Sequence, residues 1–258
     1  MSQGRGKNVL ITGASGGIGM ATALYLAEKG YSVIGAGRSM ARLAHLREQA
    51  SERRLPITTV EMDINSDEGV AGAMPGLIER HGSIDVVVNN AGGSMPRPFP
   101  ETREQDFEEG LRWNVTSAFN LSQLALPHLV ASGAGSIINI ASVTSHLPLS
   151  KVIAYSASKA AVLSATRFLA REWATTGVRV NSITPGFFPA EQNKKLLFNE
   201  DGTPSDRAKA IFGHTPMGRF GDPSELAGAA VYLASEKAAS FVTGSDIVVD
   251  GGFLSTTI

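Results

Sequence analysis

Seven short runs of mostly β-branched residues alternate with longer segments of helical spacing, and this alternation constrains the fold more than any other feature. The central runs are apolar on both faces, as is typical of strands buried on both sides. Strands joined through helices run parallel, so the sequence predicts an α/β fold, one parallel sheet with helices on both faces. The runs are KNVLIT (7–12), YSVIGA (31–36), ITTVEM (57–62), IDVVVN (84–89), SIINIA (136–141), VRVNSI (178–183) and DIVVD (246–250).

The chain contains no Pro/Gly/Ser-rich linker and no internal repeat, which favours a single domain spanning residues 1–258. One irregular segment, residues 187–221, lies between the last two predicted strands and carries turn residues and two short helical stretches. Long connections of this kind are often functional, so we interpret residues 187–221 as a lid over a substrate site.

Composition excludes several classes of protein. With 43% hydrophobic and 18% charged residues the chain can bury a large core, and its net charge of −1 without charge blocks does not suggest a nucleic-acid or anionic-membrane partner. The absence of cysteine excludes disulfides and thiolate chemistry, and the five histidines lack metal-ligand spacing, so we expect no metal. No run of roughly 18 apolar residues is present, and we expect a soluble cytoplasmic protein.

A glycine-rich turn follows the first predicted strand, in ITGASGGIGMATA. Gly13, Gly17 and Gly19 allow a tight turn and a close backbone approach, so that free N–H groups at the start of the next helix can face a pyrophosphate. The spacing departs from the commoner G-x-G-x-x-G, but its place in the first strand–helix unit favours a dinucleotide site over a plain turn.

Arg38 and Asp63 follow the second and third predicted strands. An acid that binds the ribose 2′-hydroxyl is expected about twenty residues after the glycine turn, but Arg38 comes directly after the small residues 35–37. A guanidinium suits a 2′-phosphate, so Arg38 favours NADP over NAD; the alternative is a solvated arginine at a helix start. Asp63 is a candidate acceptor for the adenine amino group, or a helix cap.

Tyr155 and Lys159 lie one turn apart on the helix predicted from Ile153. A phenol with a pKa near 10 is a weak acid, and an adjacent ammonium or helix N-terminus favours the phenolate. Such a tyrosine can exchange a proton with an alcohol or ketone while a hydride moves at the adjoining carbon.

Three further polar positions accompany this pair. Ser142 follows the fifth predicted strand, where ligands of open α/β folds bind, and Asn114 lies inside an apparent helix, where its amide needs a partner. The NNAGG segment, residues 89–93, ends the fourth strand with small residues that let a flat ring approach the backbone.

Together these motifs resemble the short-chain dehydrogenase/reductase family over nearly the whole chain. The resemblance rests on TGASGGIG (12–19), NNAG (89–92), Asn114, Ser142, YSASK (155–159), PG (185–186) and VTGSDIVVDGG (242–252). It implies a single Rossmann domain with a seven-stranded parallel sheet, an NAD(P)-dependent oxidoreductase and a homotetramer.

The resemblance also implies a role for each matching residue. Tyr155 would be the catalytic acid/base, Lys159 would lower its pKa and bind the nicotinamide ribose, Ser142 would bind the substrate oxygen, and Asn114 would hold a water of a proton relay. The matching cofactor positions are Gly13, Ser15, Gly17, Ile18 and Gly19 at the phosphates, Asp63 and Ile64 at the adenine, Asn90, Ala91 and Gly92 at the ribose and ring, and Pro185 and Gly186 over the nicotinamide. The chain departs from the family at Ala190, where a threonine that contacts the cofactor is common.

The lid directs the choice of substrate. Phe187, Glu191 and Gln192 are candidate substrate contacts, and the segment resembles that of bacterial sugar-acid oxidoreductases of the fructuronate (mannonate) type. We therefore expect a sugar or sugar acid. A 3-oxoacyl or broad ketone reductase is the alternative and needs an apolar groove that includes Phe187 and Phe188; a non-catalytic dinucleotide sensor is a third possibility.

Overall fold

The computed structural model describes residues 4–257, without the side chain of Gln192, and contains the seven predicted strands. The observed bounds differ from the predicted ones by at most two residues, the fourth strand starting later and the sixth ending later. The strands are Asn8–Thr12 (β1), Ser32–Gly37 (β2), Ile57–Glu61 (β3), Val86–Asn89 (β4), Ser136–Ile140 (β5), Arg179–Pro185 (β6) and Asp246–Val249 (β7).

All seven strands form one parallel sheet in the order β3-β2-β1-β4-β5-β6-β7. The strand order reverses between β1 and β4, which places a crevice at their carboxyl ends. The fold is therefore a single Rossmann-type domain, and the predicted fold class is confirmed.

Helices cover both faces of the sheet. They are Gly17–Glu28 (α1), Ala44–Glu52 (α2), Asp67–His81 (α3), Glu104–Leu111 (α4), Ser117–Ala131 (α5), Ile153–Trp173 (α6), Glu191–Leu197 (α7), Asp206–His214 (α8), Pro223–Ala234 (α9) and Glu236–Ala239 (α10). Side chains that alternate along β1, β4 and β5 point to two separate apolar cores, one under α1 and α9 and the other under α3, α5 and α6. Within residues 4–257 no helix is long and apolar enough to cross a membrane.

The helix predicted around Asn114 is interrupted. It begins at Glu104 and changes into a π-helical turn, Arg112–Thr116, before continuing as α5. Single π turns often occur at functional sites, and this one contains Asn114. The segment 187–221 contains the two expected helices, α7 and α8, joined by a turn that a bridge between Phe198 and Pro204 closes.

Candidate active site

The glycine turn is tied to the end of β4 by Asn90. Its side-chain amide donates to the carbonyl oxygens of Thr12 and Gly13, at 2.9 and 3.2 Å, and its backbone N–H donates to the Thr12 hydroxyl at 3.1 Å. Asn90 is a predicted position at the cofactor ribose, and in the structure its side chain joins the ends of the two strands that border the crevice.

The turn has the backbone conformation that a phosphate cradle requires. Gly13 and Gly17 have φ angles of +68° and +53°, a region that favours glycine. A Cβ added at Gly19 would collide with the Gly13 carbonyl oxygen and the Asn90 amide. Ser15 lies partly buried on this turn, and Ile18 packs against the core below it. These contacts fit a bound pyrophosphate at the N-terminus of α1.

The lid lies next to this cradle. A Cβ added at Gly17 would lie 3.3 Å from the Cβ of Ala190, the position where the family resemblance implies a threonine. The Ala190 N–H donates to the Asn193 side chain at 2.7 Å, so Asn193 caps α7. Ala190 offers no side-chain donor to a cofactor.

The predicted adenosine side of the crevice contains Arg38, Asp63 and Ile64. Arg38 is exposed, with its guanidinium carbon 6.0 Å from the centre of the Trp113 ring. Asp63 is exposed and accepts a hydrogen bond from the Asn65 N–H at 3.0 Å, while Ile64 is buried in the core. The alternative role of Asp63 as a helix cap is not observed, because Ser66 caps α3.

Tyr155 and Lys159 face each other on the first turns of α6. The Lys159 Nζ lies 5.7 Å from the centre of the Tyr155 ring and donates to the backbone oxygen of Ile140, at the end of β5, at 2.6 Å. Lys159 is only 4% exposed, whereas Tyr155 is only partly buried. The pair therefore lies at the carboxyl edge of the sheet, with the phenol at the surface of the crevice.

Burial controls the ionisation of both groups. It raises the pKa of Tyr155, an effect that a hydrogen bond with Ser142 opposes, and it lowers the pKa of Lys159 to about 8. The sequence predicted a Tyr155 pKa lowered by the adjacent ammonium. In the structure burial is the largest influence on the Tyr155 pKa and raises it, because the partly buried phenol loses water that would stabilise its charged form.

Ser142 and Asn114 converge on this pair. The Ser142 hydroxyl accepts hydrogen bonds from the backbone and hydroxyl of Thr144, at 3.2 and 3.0 Å, and starts the short turn Val143–Ser145. The Asn114 amide donates to the carbonyl oxygens of Gly93 and Gly110, at 3.1 and 2.9 Å. Asn114 thus finds the partners that an amide inside a helix requires.

Small residues border the rest of the crevice. A Cβ added at Gly92 would lie 2.5 Å from the Asn114 Oδ1, and one added at Gly186 would lie 2.7 Å from the Asp250 Cα. Pro185 ends β6 and Ala91 follows Asn90 at the β4 end. Larger side chains would not fit at either glycine.

The lid residues are only partly at the site. The Phe187 ring packs on Phe253 with centroids 5.1 Å apart, at the base of the lid. The expectation that Glu191 contacts substrate is not supported, since its side chain is 93% exposed on the first turn of α7, 3.6 Å from Lys194. The Gln192 side chain, the other candidate on this turn, lies outside the described part of the chain.

A pocket beside Tyr155 contains residues that the sequence did not select together. Its walls are the loop after β4, helix α4 and the start of α6, and its lining includes Arg97, Asp106, Trp113 and Lys151. The Trp113 ring packs under Gly93, and it also lines this pocket. The signal available in the sequence was the position of Arg97, four residues after the NNAGG segment.

His146 lies on the turn that follows Ser142. Its Nε2 lies 3.1 Å from a carboxylate oxygen of Asp246 on β7. The same carboxylate accepts hydrogen bonds from the hydroxyls of Ser182, at 2.7 Å, and Thr184, at 2.8 Å. His146 therefore ties the turn that follows Ser142 to the edge of the sheet.

Comparison with known proteins places this geometry in a family. A family model described as enoyl-(acyl carrier protein) reductase matches residues 13–254. The chain is 34% identical to gluconate 5-dehydrogenase of Gluconobacter oxydans, covering 96% of this chain and 94% of that protein. It is 36% identical to 5-keto-D-gluconate 5-reductase of Escherichia coli K12, covering 96% of each.

A solved structure agrees with these relatives. The gluconate 5-dehydrogenase of Burkholderia cenocepacia J2315, in complex with NADP and tartrate, superposes with a TM-score of 0.90 at 33% identity, over 99% of this chain and 98% of that one. The family model matches most of the chain, and two relatives are more than 30% identical to it over nearly their whole length. These matches agree on one protein family. The chain belongs to the short-chain dehydrogenase/reductase family of oxidoreductases.

Proposed function

We propose that the protein is an NADP(H)-dependent oxidoreductase that interconverts a ketone and a secondary alcohol on a sugar acid, with NAD as the alternative cofactor. The observation that carries this proposal is the Tyr155–Lys159 pair beside Ser142, next to the glycine cradle. Arg38 is exposed at the end of β2, where it would bind a 2′-phosphate. The relatives named for gluconate and 5-keto-D-gluconate support the substrate class.

The side chains of the site hold and move one proton. The bound dinucleotide supplies the hydride for reduction and accepts it in oxidation. The Ser142 hydroxyl donates to the substrate oxygen, and the Tyr155 phenol gives its proton to that oxygen in reduction and takes it back in oxidation. The Lys159 ammonium, held by the Ile140 carbonyl, stabilises the phenolate that reduction leaves.

Asn114 has two tasks in this mechanism. Its side chain fixes the β4 end through Gly93, so Gly92 stays where a nicotinamide ribose would lie. Both amide hydrogens of Asn114 are already used, so a relay water leading to Lys159 would bind to carbonyl oxygens of this residue.

The raised pKa of Tyr155 affects reduction and oxidation differently. Because burial raises this pKa, the phenol keeps its proton at neutral pH and is ready for reduction. Oxidation needs the phenolate, so its rate rises as the pH becomes more alkaline.

The alternative substrates need features that the lid does not offer. An acyl groove lined by both Phe187 and Phe188 is disfavoured, since Phe188 is 8% exposed within the core under α9 and Phe187 packs on Phe253. A sensor without catalysis would not need the Tyr155–Lys159 pair. We therefore favour a hydroxylated substrate.

The central test is Tyr155→Phe, assayed with 5-keto-D-gluconate and both reduced cofactors. Removal of the proton donor lowers kcat by about 10²- to 10⁴-fold, while NADPH affinity, followed by its fluorescence, changes little because the ring remains. Tyr232→Phe, at a surface tyrosine of α9, is the matched control. Wild-type turnover by Tyr155→Phe would overturn the assignment, and a preference for 3-oxoacyl thioesters or plain ketones would move the function to the alternative.

Two further properties belong to the same proposal. Exposed apolar side chains on α5 and α6, including Phe119 and Phe168 at 44% and 62% exposure, support pairing between subunits in a homotetramer. Light scattering that gives a monomer mass would contradict it. A lid role for residues 187–221 and a cytoplasmic location complete the proposal.

A further inference from the structure

The pocket beside Tyr155 carries an excess of positive charge. Arg97 lies on the loop after β4 and Lys151 just before α6, and both line the pocket that Tyr155 also lines. The Arg97 N–H donates to the Lys151 carbonyl oxygen at 2.7 Å, so one backbone hydrogen bond joins the two walls and brings these two cations to the same pocket.

One carboxylate, Asp106, also lines this pocket, but its charge is already balanced. It accepts hydrogen bonds from the Arg103 guanidinium at 2.8 and 3.1 Å and from the Arg103 backbone at 2.9 Å. Hydrogen bonding from Arg103 holds the pKa of Asp106 well below its usual range. Arg97 lies 3.6 Å away, at the edge of this ion pair, with its side chain 39% exposed. Asp106 therefore faces two guanidinium groups, those of Arg103 and Arg97, and the three side chains together keep one net positive charge.

The conformation of Lys151 is a second, independent observation. Its φ angle is +67°, in the left-handed region that a non-glycine residue adopts at a cost. Such strain persists where the surrounding structure requires it, often at ligand sites. Here it turns the chain so that its carbonyl meets Arg97 directly before Val152 and the catalytic helix.

We propose that Arg97 and Lys151 form the subsite that binds the carboxylate of a sugar-acid substrate while its ketone lies at Tyr155. A guanidinium pairs with a carboxylate in a planar, two-point geometry, and the lysine adds a second positive charge. Three basic side chains of the lid do not belong to this subsite. Lys194, Lys195 and His214 do not line the pocket; Lys194 lies 3.6 Å from Glu191, and the His214 ring packs on Phe253.

This inference rests on the proposed function, and a matched pair of substrates tests it separately. 5-Keto-D-gluconate and L-sorbose share one carbon skeleton and differ in a carboxylate against a hydroxymethyl group. We define the acid preference as kcat/KM for the first divided by kcat/KM for the second, with NADPH saturating. Arg97→Gln lowers the acid preference by about 10- to 100-fold, as expected for a lost charge-assisted contact. Lys151→Gln lowers it less, because a point charge gives less directional binding.

Two controls and a binding measurement complete the experiment. Lys237→Gln, which removes an exposed cation from α10 outside the lid, keeps the wild-type preference. Added salt lowers the acid preference of the wild type, and this effect is weaker in Arg97→Gln. Calorimetry with D-gluconate uses NADP⁺-saturated Tyr155→Phe protein, which binds without turnover, and the dissociation constant rises by the same factor when Arg97→Gln is added.

The outcomes separate the two proposals. An unchanged acid preference and unchanged D-gluconate affinity in Arg97→Gln overturn the subsite while the reductase function stands. Equal losses on both substrates also overturn it, since they indicate a structural role. If the wild type reduces neither substrate, the proposed function fails; binding of D-gluconate that is lost in Arg97→Gln would then still support the subsite, and absence of binding would overturn it as well.

Discussion

Lys159 makes the folded protein less stable at neutral pH than at alkaline pH. The pKa of this buried ammonium falls from 10.5 to about 8 because burial penalises its charge. Between these two pH values the unfolded chain binds a proton that the folded chain does not. Stability therefore rises with pH through this window, and the penalty is present in full below about pH 8.

The size of the effect follows from the two pKa values. Over pH 7 to 9.5 the Lys159 penalty shrinks by about 2 kcal/mol, which for a chain of this size corresponds to about 4–8 °C in the melting temperature. This range stays below the ionisation of Tyr155, whose pKa is raised.

Lys159→Met isolates this contribution. The methionine keeps the length of the side chain in the core but carries no charge, so its melting temperature lacks this pH dependence. The measurement is the difference in melting temperature between wild type and Lys159→Met, taken at several pH values and one protein concentration. The difference moves in favour of the wild type by about 4–8 °C as the pH rises to 9.5.

A surface lysine is the control. Lys195→Met, at an exposed position on α7, gives a difference from wild type that does not depend on pH. A flat difference for Lys159→Met would refute the reasoning, because it would mean that the ammonium is as well solvated in the folded protein as in the unfolded chain.

Two other substitutions test the cofactor and the β7 edge. Arg38→Ala raises the KM for NADPH by about 10- to 100-fold and leaves that for NADH nearly unchanged; equal effects on both cofactors would disprove the phosphate role. Asp246→Asn weakens the contacts to Ser182, Thr184 and His146 and lowers stability by about 1–3 kcal/mol. Thermal melting compares it with Asp206→Asn at an exposed position on α8, and equal melting temperatures for the two would contradict it.

Sequence patterns predicted most of the fold because the relevant signals are local. Runs of β-branched residues mark all seven strands, and the glycines of residues 13–19 mark the turn whose φ angles require them. The π turn at Asn114 was not predicted, since local composition does not distinguish a single π turn from the α-helix on either side of it.

The sequence predicted which residues form the site more completely than it predicted their ionisation and contacts. Tyr155, Lys159 and Ser142 do meet, but the dominant influence on the phenol is burial, which depends on how α6 packs on the sheet. Likewise, Glu191 has the right chemistry for a substrate contact but faces solvent. Which face of α7 points inward depends on long-range packing that a seven-residue helix does not encode.

Residues behind the site explain how it tolerates a buried cation. A chain of buried hydrogen bonds runs across β4, β5 and α6: the Asn89 amide donates to Asn139 at 2.8 Å, and the Asn139 amide donates to Thr166 at 2.9 Å. Thr166 donates in turn to the Val162 carbonyl at 2.8 Å, one turn beyond Lys159 along the helix. Each of these side chains donates a hydrogen bond to the next group in the series, so none of these donors is left unpaired. The series of hydrogen bonds therefore fixes α6 against the sheet.

This fixed position of α6 determines where Lys159 can place its ammonium. The Ile140 carbonyl is its one protein acceptor among the described residues, and it belongs to the same strand, β5, as Asn139. A shift of α6 along the sheet would separate the ammonium from this oxygen and move Tyr155 away from Ser142 together with it. This series of hydrogen bonds therefore supports catalysis by preventing such a shift of α6. The burial of the Lys159 ammonium lowers the stability of the folded protein, and this loss is the consequence of holding a proton-transfer group in place.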